Sequence, residues 1–342
     1  MKYTEDKSGY ANNTVSNPVN FNSKTIKARD FAGVHFGTTM DISGRLTLET
    51  KDGLNTGYFE SDVLNVGSFE TMLISWNSIC GNGEMQVLVS YEAVGGEWSD
   101  YFTYGIWSDK NGVSTSKSVK NSFGSMNVDT FTPSKPTTGN IRYKITITKD
   151  GDNIPVVENI TIATPSMNVA TPSEYPSYVW NPAPMRSQIA PENGKDGGVM
   201  CSATTSAMAL EYAGFNQTTV ETALGTYDEE YEGYGNWLFS VAEYASKGYY
   251  AFCDFYTEDM IKYALSKGYV IGCSTYLTTA GHIVLVVGYE VIDGTGHYIV
   301  NDPYVDASDP KVTKYTCSYF NSVWLKESYN NTGVVYVFKG QY

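Results

Sequence analysis

The sequence predicts two domains, an N-terminal all-β antiparallel sandwich of jelly-roll-like type and a C-terminal α+β domain. The length of 342 residues suggests two domains rather than one. Residues 30–165 consist of short segments with alternating polarity, separated by turn residues about every 8–12 positions. After residue 200, helix-like segments come first and strand-like segments follow, which is the order typical of an α+β domain.

The first part of the chain contains one unpatterned segment and many strand-like ones. Residues 1–29 are polar and lack periodicity, so we expect a leader or an arm. In "RYKITITKD", Tyr143, Ile145 and Ile147 fall on one face, which is the two-residue period of a half-buried strand. Residues 30–165 are therefore predicted to form a β-sandwich of unknown role. The other segments of this kind are "RLTLET", "TMLISWN", "MQVLVSYEA" and "ENITIAT".

A proline-rich segment separates the two halves. Six of the 12 prolines lie between Pro165 and Pro191, and prolines so closely spaced disfavour helix and central strand. Residues 166–190 are predicted to be an extended linker that runs into the second domain, which then occupies 191–342. There the periodicity predicts helices over 202–213, 236–246 and 257–266, and strands over 269–275, 282–290, 297–304 and 333–339.

Charge and hydropathy exclude several classes of partner. The net charge of −14 argues against nucleic acid and anionic membrane surfaces. No apolar run approaches the roughly 18–20 residues that a membrane span needs. No signal peptide is visible, yet the 28 tyrosines and 32 glycines are typical of an exported protein. We expect a secreted or cell-surface location.

Cysteine and histidine are scarce, which limits the possible chemistry. The odd number of cysteines leaves at least one thiol free, and the absence of a CxxC pair argues against a metal site. We expect no metal and no cofactor. Any histidine chemistry must use His35, His282 or His297. The five cysteines are Cys80, Cys201, Cys253, Cys273 and Cys317.

The stretch "GGVMCSATTSAMALEYAG" places Cys201 at the predicted start of a helix. A helix N-terminus favours a thiolate, and a cysteine there can offer its own N–H to an oxyanion. The alternative is that Cys201 is a small buried hydrophobic residue, like other cysteines. The local sequence alone leaves both interpretations open.

A base and an orienting group are available in two consecutive strands. His282 begins the apolar strand "HIVLVVGYE", and the strand "HYIVNDPY" ends in Asn301 and Asp302. If the two strands pair antiparallel, either of these residues lies beside His282, whereas the competing His297 lies at the far end, and His35 falls in the other domain. The alternatives are a structural histidine and ordinary turn chemistry in "NDP".

These residues resemble a family. Residues 180–339 resemble a papain-like cysteine peptidase of the bacteriocin-leader-processing (double-glycine peptidase-like) type, in its soluble bacterial branch. The resemblance rests on "CSATTSAM" opening a helix, "GHIVLVVGYE" and "VNDPY". It implies a papain-like catalytic domain over 191–342. The first half, with "YFESDVL", "ISWNS" and "EWSDYFTYGIWS", resembles the β-sandwich that precedes such peptidases in some bacteria, and no function follows from that likeness.

The resemblance also implies roles. Cys201 would be the nucleophile, His282 the general base, Asp302 the residue that orients His282, and Gln188 the side-chain donor to the oxyanion. Asn301 is the alternative orienting residue. The sequence departs from the family pattern at Ser202-Ala203, where Gly-Pro is usual, and Gln188 lies 13 residues before Cys201. Asn181 and Asn193 are the other side-chain amides nearby.

Three functions remain to be compared. The leading hypothesis is a cysteine peptidase that hydrolyses peptide-like amides through a Cys-His-Asp triad and a thioester. The alternatives are an acyltransferase with the same triad, as in transglutaminase-like folds, and a catalytically degenerate surface binding protein. A peptide or protein substrate is expected. It could be cationic if the acidic loop 227–235 borders the cleft, and the sandwich could contact cell-wall glycans through Trp76, Trp98 and Trp107, which otherwise belong to its core.

Overall fold

The N-terminal region is built almost entirely of short strands. The computed structural model describes residues 19–167, 172–327 and 331–339. The strands up to residue 163 are β1 Ser23–Lys27, β2 Gly33–Phe36, β3 Thr38–Met40, β4 Leu46–Leu48, β5 Thr56–Ser61, β6 Leu64–Asn65, β7 Leu73–Ile79, β8 Glu84–Ala93, β9 Phe102–Trp107, β10 Val119–Lys120, β11 Gly124–Asn127, β12 Thr130–Pro133, β13 Thr137–Thr148 and β14 Val156–Ala163.

These strands form two main antiparallel sheets. One has five strands in the order β1-β14-β4-β3, with β7 also paired to β14. The other has six strands in the order β2-β5-β13-β8-β9, with β6 paired to β13, and β10-β11-β12 form a small third sheet. The predicted alternation in β13 is confirmed, because Tyr143, Ile145 and Ile147 are buried while Lys144 and Thr146 are partly exposed. The prediction of antiparallel β-structure in this region is thus confirmed.

The segment predicted as a polar arm contains a strand. Residues 1–18 of that predicted arm lie outside the described residues. Residues 23–27 differ from the prediction, since Ser23–Lys27 pairs along its whole length with β14. The sequence alone gives little sign of this strand, because its five residues are stabilised by pairing with a strand more than 130 positions away.

The C-terminal region mixes helices and strands as predicted. The helices predicted over 202–213, 236–246 and 257–266 and the strands predicted over 269–275, 282–290, 297–304 and 333–339 are all present, with ends shifted by a few residues. The elements are β15 Tyr178–Trp180, α1 Cys201–Tyr212, α2 Thr219–Thr226, α3 Trp237–Ser246, β16 Ala251–Tyr256, α4 Glu258–Ser266, β17 Tyr269–Thr275, β18 His282–Ile292, β19 Thr295–Asn301, β20 Thr313–Thr316, α5 Cys317–Trp324 and β21 Gly333–Lys339. Among the described residues, no helix combines the length and the apolar character needed to cross a bilayer.

A seven-stranded antiparallel sheet organises this region. Its order is β16-β21-β17-β18-β19-β20, and β15 from the proline-rich segment pairs with the far half of β18. Helix α1 packs against β18 and against α2 and α3. Gly214 follows the C-cap of α1, and its φ of +94° lies in the left-handed region that glycine adopts without strain. The sheet and α1 together set the positions of the residues predicted to be functional.

The sandwich and the C-terminal region share one apolar core. Phe239 of α3 packs between Trp76 and Trp107 of the sandwich, with ring centroids 6.3 and 5.4 Å away. All three side chains are fully buried and belong to one continuous hydrophobic cluster that extends through both regions. The interpretation of Trp76 and Trp107 as core residues therefore holds, and the two predicted domains are not separated by solvent here.

Because the core is shared, Phe239→Ala should destabilise both regions at once. We expect a loss of about 3–5 kcal/mol, the range for truncating a buried phenylalanine, and a single unfolding transition in both wild type and variant. Calorimetry together with tryptophan fluorescence measures this. The control is Ile42→Ala at a fully exposed position. Two separate unfolding transitions, or a loss of stability confined to one of the two regions, would contradict the shared core.

Candidate active site

Cys201 is the first residue of α1. The single-turn 3-10 helix Gly197–Val199 leads into it, and Met200 occupies the N-cap position. The first N–H groups of a helix have no intrahelical partner, and the helix dipole is positive there. Cys201 is partly exposed, whereas the four other cysteines are buried, and all five are free. The position combines access with a local field that favours a thiolate.

His282 faces Cys201 from the start of β18. It follows Gly281 and pairs with Thr275 of β17, so it lies at the edge of the sheet where β17 ends and β18 begins. Cys201 lies close enough to His282 and to the backbone N–H groups of Ile283 and Ser202 for all three to lower the pKa of its thiol. His282 is only 5% exposed. The pair is thus shielded from solvent on the histidine side.

Asp302 completes a chain of contacts with His282. Nε2 of His282 lies 2.7 Å from Oδ1 of Asp302, which leaves Nδ1 to face the thiol. The same Oδ1 accepts the N–H of Tyr304 at 2.8 Å, and Tyr315 Oη lies 3.4 Å from Oδ2. Tyr315 was not identified from the sequence, since it lies on β20 and no local pattern links it to Asp302.

The other predicted alternatives lie elsewhere. Asn301 is buried, and its amide donates to the carbonyls of Ala183 and Pro184 rather than to His282. His297 lies at the far end of β19, opposite Glu290, with Nδ1 3.0 Å from the carbonyl oxygen of Thr295. His35 lies in the sandwich, next to Thr38. The antiparallel register therefore separates His282 from His297 as predicted.

Electrostatics favour an ion pair between Cys201 and His282. Burial opposes ionisation of the thiol, but the hydrogen bonds from His282 and from the Ile283 and Ser202 N–H groups outweigh it and lower the pKa. Burial also disfavours the imidazolium, yet the contacts with Asp302 and Cys201 raise the pKa of His282 to about 9. Burial acts against the carboxylate of Asp302 as well, but its hydrogen bond with His282 keeps the pKa below its usual range.

Gln188 lies against the turn that precedes Cys201. Its Nε2 is 3.1 and 2.9 Å from the carbonyl oxygens of Gly197 and Gly198, and its backbone N–H donates to Pro303. Gln188 therefore links the turn before Cys201 to the residue that follows Asp302. Asn193 donates to the carbonyls of Ser187 and Gln188, so this amide holds the Gln188 segment in place.

Asn181 lies outside this arrangement. Its amide donates to the carbonyls of Leu265 and Tyr269, at the junction between α4 and β17. Of the three side-chain amides singled out in the sequence, only Gln188 contacts the turn before Cys201 directly through its side chain.

The acidic loop 227–235 reaches the start of α1. Tyr234 packs against the small apolar cluster of Met200, Ala203 and Ala223, which includes residues on either side of Cys201. Asp228 is fully buried and accepts the N–H groups of Ser116, Glu230 and Tyr231. Asp228 therefore stabilises the loop, and the exposed acids beside it are Glu229, Glu230 and Glu232.

Comparison with known proteins supports a cysteine peptidase region. Residues 180–332 match the model of the Peptidase_C39 like family, which is less than half of the chain. The match supports a C39-type cysteine peptidase region here, with a mostly β region before it. Among curated proteins, no sequence matches this chain.

Solved structures resemble the chain only weakly. The insecticidal crystal protein Cry2Aa shares 16% identity over 43% of this chain, which spans 22% of that protein, with a TM-score of 0.25. A family 6 carbohydrate-binding module from Clostridium cellulolyticum, in complex with xylose, shares 11% identity over 41% of this chain and 96% of its own, with a TM-score of 0.23. The C-terminal family 6 module of a Zobellia galactanivorans laminarinase shares 14% identity over 42% and 100%, also with a TM-score of 0.23. TM-scores this low establish neither fold nor function.

The ion pair predicts a thiol that reacts at lower pH than an ordinary cysteine. Iodoacetamide should alkylate Cys201 at neutral pH, while burial raises the pKa of the other four thiols and keeps them inert. His282→Ala removes a charge-assisted hydrogen bond, so the pH midpoint of alkylation should rise by about 1–2 units. Mass spectrometry of the labelled peptide measures the rate, with Cys201→Ser as the control. An unchanged midpoint in His282→Ala would exclude the ion pair.

Proposed function

We propose that residues 180–332 form a cysteine peptidase that hydrolyses peptide-like amides through Cys201, His282 and Asp302. One observation carries the proposal: the His282 ring is hydrogen-bonded to the Asp302 carboxylate through Nε2 at 2.7 Å, and the same ring lowers the pKa of the Cys201 thiol. This is the arrangement that an activated nucleophile, its base and an orienting group require. The match to the Peptidase_C39 like family supports the same chemistry.

The proposed reaction has two stages. The Cys201 thiolate attacks the amide carbonyl carbon, and a tetrahedral oxyanion forms. The imidazolium of His282 then donates its Nδ1 proton to the leaving amine, the C–N bond breaks and a thioester remains. In the second stage His282 takes a proton from water, the hydroxide attacks the thioester, and the acid product leaves while the thiolate reforms. Asp302 holds the ring through Nε2 and stabilises its charge.

Two groups are proposed to stabilise the oxyanion. The backbone N–H of Cys201 lies at the helix N-terminus, where such groups point away from the helix. Gln188 is the proposed second donor, because its amide is held at the turn leading into Cys201. Both hydrogens of Nε2 are directed at the carbonyls of Gly197 and Gly198, so the amide must release one of these contacts to donate to the oxyanion. Its contacts with Gly197 and Gly198 also fix the loop that substrate must approach.

Removal of the nucleophile tests the proposal directly. Cys201→Ala should reduce hydrolysis of a responsive peptide by about 10⁴- to 10⁶-fold, and Gln188→Ala by about 10²- to 10³-fold through loss of one oxyanion donor. Initial rates on an internally quenched peptide library measure both effects. The control is His297→Ala, which removes a histidine remote from the site. Retained activity in Cys201→Ala would refute the nucleophile assignment.

The two alternative functions differ in what they do with the thioester. An acyltransferase would pass the acyl group to an added amine, so a conjugate would form at the expense of the free acid. A degenerate binding protein would form no thioester, and a thiol-directed active-site probe would not label Cys201. The lowered pKa of Cys201 favours a competent thiol over the degenerate alternative.

We propose a preference for cationic substrates on the basis of the acidic loop. Glu229, Glu230 and Glu232 are exposed, and the loop that carries them contacts the residues flanking Cys201. Charge reversal by Glu229→Lys with Glu230→Lys should lower kcat/KM for peptides containing lysine or arginine by about twofold to fivefold per pair, since exposed ion pairs are weak. Profiling of the library measures this against Glu97→Lys in the sandwich, and identical profiles would reject the preference.

We also propose a glycan contact through the sandwich and an extracellular location. Trp76 and Trp107 are fully buried, so of the three tryptophans only Trp98 can meet a ligand. The Arg142 guanidinium lies 4.5 Å from the centre of its ring and covers part of that face. Glycan contact through the sandwich therefore depends on Trp98 and its neighbours. Secretion or surface display is proposed from composition alone.

A further inference from the structure

The hydroxyl of Ser202, the residue after Cys201, is anchored to another helix. Its Oγ lies 2.9 Å from Oγ of Ser240, and the two side chains are 1% and 0% exposed. Ser202 directly follows Cys201 in the first turn of α1, and its backbone N–H is one of the groups that lower the pKa of the thiol. Any displacement of Ser202 therefore moves the backbone that carries the thiol.

The direction of the hydroxyl contact can be assigned. Ser240 lies on α3, and its hydroxyl donates to the carbonyl of Asn236 at 3.1 Å. A hydroxyl has one hydrogen, so Ser240 accepts from Ser202 and the Ser202 hydroxyl is the donor. The first turn of α1 is thereby attached to the first turn of α3. Both groups are buried, where an unmade hydrogen bond is costly.

The sandwich holds the N-terminus of α3. Asp129, which follows β11 in the sandwich and is 6% exposed, accepts the backbone N–H of Trp237 through Oδ2 at 2.8 Å. The N-cap Asn236 donates to Oδ2 of Asp228, and Oδ1 of Asp228 accepts the N–H of Ser116. A carboxylate at this end of a helix also opposes the helix dipole favourably. Two separate links thus join the sandwich to the start of α3.

We propose that the sandwich is a positioning part of the nucleophile site, which it holds through Asp129, α3, Ser240 and Ser202. These residues act through others and do not touch substrate, so they are positioning residues. The inference rests on the proposed function, because it takes Cys201 as the nucleophile. Asp129 lies outside residues 180–332, so the segment that matches the peptidase family does not contain all the residues that position Cys201.

Small displacements of the nucleophile are enough to slow the proposed reaction. Reacting groups must be held within a few tenths of an ångström, and misplacement by about 1 Å can cost on the order of 10²-fold in rate. The path from Asp129 to Cys201 consists of a helix cap, one helical turn and a buried hydroxyl pair, all short and rigid. The fully buried rings of Trp76 and Trp107 pack against Phe239 of α3, which restricts movement of this helix further.

The test uses the full chain and the pH midpoint of Cys201 alkylation by iodoacetamide. Ser202→Ala and Ser240→Ala should each raise the midpoint by about 0.3–1 unit and slow alkylation at neutral pH by about two- to tenfold, as expected for one net hydrogen bond. Because the two hydroxyls act as one contact, the double variant should show little more than either single change.

The chain offers a matched control in the same helix. Ser206 is also fully buried in α1, and its hydroxyl makes no hydrogen bond within the described residues. Ser206→Ala should therefore leave the alkylation midpoint unchanged. If Ser202→Ala and Ser240→Ala behave like Ser206→Ala, or if their effects simply add in the double variant, the positioning role is overturned.

Substitutions of Asp129 test the link to the sandwich, and a conservative one tests whether the effect can be restored. Asp129→Ala should shift the midpoint upward by a similar amount, whereas Asp129→Asn keeps an oxygen for the Trp237 N–H and should recover most of the effect. Thermal unfolding identifies any variant that does not fold, and if Asp129→Ala is one of these, Ser202→Ala and Ser240→Ala carry the test. A midpoint in Asp129→Ala equal to that of wild type would contradict the inference.

The outcomes separate the inference from the proposed function. If wild-type Cys201 alkylates at low pH but no peptide is hydrolysed, the proposed peptidase activity fails while the positioning measurement stands. If peptides are cleaved and the Ser202, Ser240 and Asp129 variants leave both the midpoint and kcat/KM unchanged, the peptidase proposal stands and the inference fails.

Discussion

The antiparallel register between β18 and β19 is the constraint on which the candidate site depends. Leu285 pairs with Asn301, so the start of one strand and the end of the next meet at the same edge of the sheet. A slip of one residue would turn every side chain to the opposite face. The register is fixed by near-complete burial of β18, and it leaves His282 and Asp302 as neighbours while it sends His297 to the far end. The contact between imidazole and carboxylate is therefore a consequence of core packing.

Burial at this edge acts in two opposite directions. It disfavours each charge taken alone, yet it strengthens the attraction between charges that are paired. The interactions among Cys201, His282 and Asp302 lower the pKa of the thiol and of the carboxyl and raise that of the imidazole, and the backbone N–H groups of Ser202 and Ile283 also lower the pKa of the thiol. Other buried thiols show the effect of burial on a thiol that has no such charged partner. Cys253 and Cys273 are enclosed without such partners, and burial raises the pKa of both far above the ordinary value.

Local patterns in the sequence predicted the elements that local physics determines. The alternation in β13 and the capped start of α4 at Thr257 could be read directly, and so could the order of Cys201, His282 and Asp302. Helix α2 was missed although Thr218 and Glu221 form a capping box, a signal that was present in the sequence. Strand β1 and the Asp129 cap could not be predicted, because each joins residues more than 100 positions apart and neither carries a periodic pattern. Long-range contacts of this kind depend on how two regions pack.

That packing explains the part of the cysteine motif that departs most from the family pattern. Helix α1 is enclosed by β18, α2 and α3, and residues 202–210 are buried on every side, so small side chains are required. Ser202 is small enough to fit and polar, and a buried hydroxyl must find a partner, which Ser240 supplies. In the same helix α3, the N–H of the first residue, Trp237, donates to Asp129, and the sandwich tryptophans pack against Phe239. The serine after Cys201 is thus explained by the packing of α1 against a second region.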